Sequence, residues 1–257
     1  MKILEISIEN FRSIKSIKNL KLGQINIFIG ENNSGKSSIL RAIHLLQDGS
    51  QPSRQDIRIG STSSKIDLLV SPHIPKHTNL SIVNKSININ LSIPSNSIDG
   101  HIFNMKADNT NSFNNYPNTS PYHAIIPYLS KRKTSLYSED VREESVNRIE
   151  TTLSNLPARI SKVSNSVFPK HDHYKENCEK ILGFMVTSIP SKNGITAGTY
   201  VDTENTISIS QMGEGVPNIT SLVADLSYQK DKIFIIEEPE NDLHPKALKA
   251  EWHLLKD

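Results

Sequence analysis

Residues Ile25–Gln47 constrain this chain more than any other stretch. An alternating apolar segment, INIFI, breaks into Gly30-Glu31-Asn32-Asn33-Ser34-Gly35-Lys36-Ser37. The residues that follow set Ile39, Ala42, Ile43 and Leu46 on one helical face. Strand, glycine loop, helix is therefore the expected order, with the strand at Ile25–Ile29. The loop matches G-x-x-x-x-G-K-[ST], and each fixed position has a physical reason. Glycine lets the backbone bend so that successive N–H groups converge on an anion. The helix N-terminus adds the positive end of its dipole. Lys36 reaches outer phosphates as a point charge, and the Ser37 hydroxyl can ligate Mg²⁺. The pattern alone would arise by chance in roughly one chain in a hundred of this length. The flanking strand and helix patterns make that chance smaller.

A second feature lies far downstream. Ile233-Phe234-Ile235-Ile236 has the look of a buried strand and ends in adjacent carboxylates, Glu237 and Glu238. In phosphate-loop enzymes a second strand delivers an acidic residue to the Mg²⁺ shell, and Glu237 fits that role. Glu238 is placed to orient or deprotonate an attacking water. EEPEND is also a good solvated turn, so the pair gains its meaning from the loop upstream. A third stretch, Ser210-Gln211-Met212-Gly213-Glu214-Gly215, precedes helical spacing at Val216, Ile219, Leu222, Val223 and Leu226. A Ser/Gly loop at a helix N-terminus is a second anion site or an ordinary cap.

Length and composition set the frame. The 257 residues allow one large domain or two small ones. A net charge of +2 gives no chain-wide nucleic-acid footprint, so such binding requires a local patch. Lys131-Arg132-Lys133 is one short basic run, more often a solvated loop than a phosphate contact. Cys178 is the single cysteine, which excludes an internal disulfide framework and fits a reducing cytosol. The N-terminus alternates Leu4, Ile6 and Ile8 with Glu5, Ser7 and Glu9, with Ile3 outside the alternation, and reads as a strand. No apolar run approaches the ~20 residues needed to cross a bilayer. The expectation is a cytoplasmic protein with no membrane partner. His171, His173 and Cys178 lack the paired second half of a zinc site.

Between the two ends lies a Ser/Asn-biased middle with short strands at DLLV, LSIVNKSININLSI and GHIFNM and a loop over 109–122. Helices are expected at 139–156, 173–185, 216–228 and the final PKALKAEWHLLKD, and a hairpin over 196–210. The reading is a single 1–257 domain, its nucleotide-binding core built from 1–48 and 196–257, with an irregular polar insert at 49–195.

NFRS, GENNSGKSS, ISQMGEGV and IIEEPENDLHP, in that order, resemble the ATPase domain of the OLD (overcoming lysogenization defect) family, within the ABC-type group that includes RecF-like and SMC-like ATPases. The resemblance covers about half the chain. It implies an α/β, ABC-type phosphate-loop head with a mixed β-sheet core and an N-terminal antiparallel β portion. It further implies ATP and Mg²⁺ as cofactors and a dimer that sandwiches two ATP molecules. Gly30, Asn32, Asn33, Ser34, Gly35, Lys36, Ser37 and Ser38 would hold phosphate, with Lys36 also catalytic. Ser37 and Glu237 would hold Mg²⁺, and Glu238 would act on water. Ser210, Gly213 and Gly215 would engage the ATP of the second subunit. Asn241–His244 would cross the dimer interface. Arg12 would approach the nucleotide or shape the first hairpin, and Gln47 or Gln51 would supply a glutamine loop.

Two departures stand out. The aspartate usual in such heads is Glu237 here, as in the OLD-like group. No later strand carries a switch histidine: His244 is too close to Glu238, and His253 lies in a helical stretch. The head is thus expected to lack its last core strands, and no Toprim nuclease domain is present within these residues. A fragment, a completing partner and slow turnover all remain open. The functional expectation is an ATPase in a nucleic-acid-related process such as DNA maintenance or anti-phage defence. The alternative is an ATP-gated assembly module that relies on a separate nuclease or effector.

Overall fold

The computed structural model describes residues 2–46, 51–71, 86–96, 102–107, 124–128, 137–139, 141, 146, 153–229 and 232–238. The chain divides into two compact units, Met1–Ile126 with Asp231–Ile235, and Pro127–Lys230 with Ile236–Asp257.

The first unit is built on an antiparallel sheet. Strands β1 (Ile3–Phe11) and β2 (Ile14–Lys21) form a hairpin closed by Arg12 and Ser13. Strands β3 (Ser63–Val70), β4 (Ile87–Pro94) and β5 (Ile102–Ala107) extend it in the order β2-β1-β3-β4-β5. Period-two alternation makes the sheet one-sided. Ile6 pairs with Leu68 and Ile8 with Ile66; Leu68 then pairs with Ile89 and Ile66 with Leu91, and all six are buried. Each such side chain contributes about 2 kcal/mol by leaving water. The other face carries Ser7, Asp67 and Asn90 in register, with a Lys65–Asp67 ion pair at 3.2 Å. A register shift between Ile3 and Glu5 resets the parity of β1 against β3. That bulge buries Ile3, which the alternation had left out.

Helix α1 (Lys36–His44) packs on β1 and buries Ile39, Ala42 and Ile43, with Leu45 and Leu46 buried just beyond its end. This is the helical face the spacing predicted. The strand expected at Ile25–Ile29 is not formed. Residues 26–30 have no regular structure, and Ile25, Ile27 and Ile29 are 50%, 60% and 90% exposed. An alternating Ile pattern expresses only a preference; a strand also needs a neighbour for its backbone groups, and none pairs with this segment among the described residues.

The second unit packs three helices around a meander. Helices α2 (Leu156–Val163) and α3 (His171–Leu182) lie against α4 (Gly215–Tyr228), and α2 also covers β7 (Thr187–Ser191) and β8 (Gly194–Tyr200). β9 (Thr206–Ser208) completes the three-stranded antiparallel sheet. Leu156, Ile160, Tyr174, Cys178, Val223 and Ala224 form the centre of this core. The Tyr174 hydroxyl donates to the Val186 carbonyl at 2.8 Å, which satisfies its one buried polar group. The expected hairpin, helix 173–185 and helix 216–228 are all present within a few residues. Of the expected 139–156 helix, Glu139 and Val141 are non-helical and Val146 is helical. The C-terminal helix and the 109–122 loop lie outside the described residues, as do Lys131–Lys133, Gln47, Asn241–His244 and His253.

A final pair joins β6 (Ile125–Tyr128) to β10 (Ile233–Ile236). Ile233 N donates to Ala124 O and Glu237 N to Tyr128 O, both at 2.8 Å. The bonds advance in the same direction along both strands, so the pairing is parallel. The division between the units runs through this pair. No helix among the described residues is long and apolar enough to cross a membrane.

Candidate functional site

The Gly30–Ser37 loop has the backbone its composition requires. Asn33 and Gly35 take positive φ, 65° and 99°, on either side of Ser34. Positive-φ positions alternating along a loop are the backbone of an N–H nest; of these amides, Ser34 N donates to the Glu31 carbonyl at 3.2 Å. Gly35 then caps α1, and Ile39 N donates to its carbonyl at 3.1 Å. Lys36 bends back over the loop. Its Nζ donates to the carbonyl oxygens of Gly30 at 2.6 Å and Glu31 at 2.7 Å. Gly30, Asn32, Asn33, Ser34 and Ser37 are exposed, and Lys36 is half-buried. Ser38 points the other way: it is buried, with its hydroxyl 3.3 Å from that of Ser13.

Ser13 belongs to the NFRS turn, and its hydroxyl lies 3.4 Å from where a Cβ on Gly35 would stand. The first hairpin therefore braces the loop. Arg12 takes φ 48° and its Nε donates to Asp56 Oδ1 at 2.8 Å. Asp56 is fully buried at the end of a single 3₁₀ turn, Arg54–Asp56. It also accepts from Ser53 N at 2.9 Å and from Arg41 of α1 at 3.3 Å. Burial alone would raise the Asp56 carboxyl. The Ser53 amide and the two guanidiniums outweigh it and hold it below the ordinary carboxylate value. Arg41 also donates to the Gln51 carbonyl at 2.8 Å. Of the two roles open to Arg12, shaping the hairpin is the one these contacts describe.

In the second unit, Ser208 and Gln211 form a capping box around a short 3₁₀ turn. Ser210 is exposed, with its hydroxyl 2.9 Å from that of Ser208. Gly213 is exposed, and Gly215 is the buried first residue of α4. The loop thus sits at the N-terminus of a 14-residue helix, the position the spacing predicted. Glu237 follows β10 half-buried. Glu238 is exposed and held at φ 50°. Among the described residues, three of the five non-glycine positions with positive φ are asparagines, which tolerate it. The other two are Arg12 and Glu238, so backbone strain concentrates in two of the four motifs.

Behind β6 and α4 is a polar cluster that no motif announces. Arg159 donates through Nη1 to Asp225 Oδ2 and through Nη2 to Ser221 Oγ, both at 2.7 Å. The Tyr128 hydroxyl donates to the same Asp225 oxygen and lies 3.2 Å from Ser221 Oγ. All four residues are buried. Burial works against the Arg159 charge, but Asp225 and the neighbouring tyrosine hydroxyls outweigh it and raise its pKa. The hydrogen-bonded partners are 62 to 97 positions apart, so no local pattern could have revealed them.

The sequence profile described as an AAA ATPase domain matches residues 1–98 and 73–257. The chain belongs to the AAA ATPase domain family. Across 97% of its length this AAA ATPase domain is 22% identical to the OLD nuclease of Thermus scotoductus. That match covers 55% of the nuclease, so the chain spans about half the length of this relative. Over 49 residues, 19% of the chain, it is 47% identical to the DNA replication and repair protein RecF of Acinetobacter baylyi, covering 14% of that protein. The fold is similar to that of the recombination mediator protein RecF in a structure with ATP. The TM-score is 0.56 at 13% identity, over 99% of this chain and 88% of that one. The OLD- and RecF-like resemblance read from the four motifs therefore holds, as does the α/β fold class.

Proposed function

We propose that this AAA ATPase domain binds ATP with Mg²⁺ and hydrolyses it at the interface of two copies of the chain. One observation carries the reading: the Gly30–Ser37 loop alternates positive-φ positions around Ser34 and holds the Lys36 ammonium against its own carbonyls. A cradle of amide donors with a cation in reach fits a polyphosphate, so the residues present suit the group. Lys36 would exchange its two carbonyl contacts for phosphate oxygens. Gly30, Asn32, Asn33, Ser34, Gly35 and Ser38 would frame the cradle. Ser37 and Glu237 are hard oxygen donors suited to Mg²⁺. When bound, Mg²⁺ neutralises charge on the transferring phosphoryl group. Glu238 would orient the water and take its proton. Ser210, Gly213 and Gly215, before the α4 N-terminus, would meet the nucleotide of the second copy. In this reading the nucleotide core combines 1–48 with 196–257.

The names of the OLD nuclease and RecF relatives support a DNA-related process; DNA maintenance or anti-phage defence in the cytoplasm is the setting proposed for it. A nuclease or other effector would be the partner that ATP binding controls. Two variants test the proposal. Lys36→Ala should weaken binding of a fluorescent ATP analogue at least tenfold. Glu238→Gln should abolish phosphate release, keep nucleotide binding and accumulate dimer on size exclusion with ATP. Unmodified protein that binds ATP but releases no phosphate with Mg²⁺ and DNA present would replace this reading with that of an ATP-gated assembly module.

A further inference from the structure

We propose that Tyr128, Arg159 and Asp225 are positioning residues that link the carboxylate Glu237 to α4, the helix behind the Ser210–Gly215 loop. The inference rests on the role given above to Glu237 and adds the device that sets its place.

The contacts are continuous and lie within one unit. The Tyr128 carbonyl accepts from Glu237 N at 2.8 Å and so holds the start of the carboxylate pair. From the same residue the hydroxyl reaches Asp225 and Ser221, which share one face of α4 at i and i+4. Arg159 of α2 clamps both from the other side. Tyr128 thus touches the acidic strand end with its main chain and the helix with its side chain. A shift of α4 would displace the Tyr128 ring and, through it, Glu237.

Stability alone does not account for this cluster. A buried ion pair is commonly no better than well-packed apolar residues of the same volume. This one is also incompletely satisfied: Asp225 Oδ1 and Arg159 Nε, both buried, make no hydrogen bond among the described residues. A half-satisfied polar cluster costs stability, whereas its directional bonds fix one register of α4 against β6. That is the property needed if the loop ahead of α4 and the carboxylate after β10 are to act together.

The test uses the full chain and measures metal binding, not turnover. Mn²⁺ is titrated by electron paramagnetic resonance into protein saturated with a non-hydrolysable ATP analogue. Glu237→Gln should weaken Mn²⁺ binding strongly. Tyr128→Phe, which removes one hydroxyl and little volume, should weaken it roughly tenfold, the effect of a group supporting a metal ligand. Affinity for the analogue without metal should stay within about twofold, because the phosphate loop is untouched. Leu156→Ala, an apolar truncation in the same core with an equal or greater loss of stability, should leave Mn²⁺ affinity unchanged. Hydrogen exchange over 215–228 should respond to analogue plus Mg²⁺ in the unmodified protein and lose that response in Tyr128→Phe. If Glu237→Gln weakens Mn²⁺ binding and Tyr128→Phe does not, the positioning role is overturned. It is equally overturned if Leu156→Ala matches Tyr128→Phe. If Glu237→Gln itself has no effect, the assignment of Glu237 as a metal ligand fails, and the positioning role with it.

Discussion

Asp56 offers the sharpest check on how the Gly30–Ser37 loop is braced. Its side chain is fully buried, while the partner guanidiniums of Arg12 and Arg41 retain 35% and 22% of their side-chain exposure. Replacing it with Asn keeps the volume and one acceptor oxygen. It removes the charge, and it turns an amide NH₂ toward groups that are themselves donors. Each charge-assisted hydrogen bond lost costs about 2 kcal/mol. The arginines are partly wet and can rehydrate, which brings the expected total to about 3 kcal/mol. At 2–4 °C per kcal/mol for a chain of this size, the midpoint of thermal unfolding should fall by roughly 6–12 °C at pH 7. The pH dependence has a definite sign. The folded carboxyl sits below its ordinary value. Its contribution is therefore complete above the unfolded value near 4 and disappears as pH falls through the lower folded value. Asp56→Asn and the unmodified protein should accordingly differ most at neutral pH and converge on acidification. Urea unfolding followed by circular dichroism at several pH values measures this. Because Ser13 packs against the loop at Gly35, nucleotide affinity should fall in parallel. A loss under 1 kcal/mol at pH 7, or a gap that stays constant into acid, would refute the account.

Three further outcomes follow from local geometry. Gly35→Ala forces a Cβ into φ 99° with Ser13 Oγ at 3.4 Å; it should cost about 1–2 kcal/mol in thermal unfolding and weaken nucleotide binding. Gly198→Ala would set a Cβ 2.4 Å from both the Ile207 carbonyl oxygen and Ile189 Cδ1. The carbonyl cannot yield, so loss of at least ~2 kcal/mol is expected in denaturant unfolding, and near-neutrality would show that β8 and β9 lie further apart. Burial pushes the Cys178 thiol up to about 11, only partly offset by Tyr174. Thiol labelling at pH 8 should therefore be slow in the native protein and rapid in urea, and fast native labelling would contradict its burial.

How much of this was legible in sequence depends on chain distance. The loop at Gly30–Ser37 and helix α1 are contiguous, and φ-positive positions call for glycine or asparagine. Residue types alone therefore announced the bend at Gly35, while the positive φ of Asn33 came only with the structure. The hairpin at 194–208 and the helix from Gly215 were legible for the same local reason. Ile3 was not, because a bulge against β3 decides its side and bulges depend on the partner strand. Ile25–Ile29 carried a strand pattern yet has no strand in the structure, since a period-two pattern does not specify a ladder partner.

Arg12 shows where local reading ends. Its neighbours suggested either a nucleotide contact or a hairpin role, and the choice rested on Asp56, 44 positions away. Arg159, Asp225 and Tyr128 show it more strongly, for each is unremarkable in its own segment. Sequence alone determined the features set by backbone preference and near-neighbour spacing: the Gly30–Ser37 loop, the helices around it and after Gly215, the acidic strand end and the family. Tertiary structure decided which charges are buried together and which side chains brace the motifs. Burying a charge is tolerable only beside its counter-charge, and that partner comes from a distant segment brought close only by the folded chain.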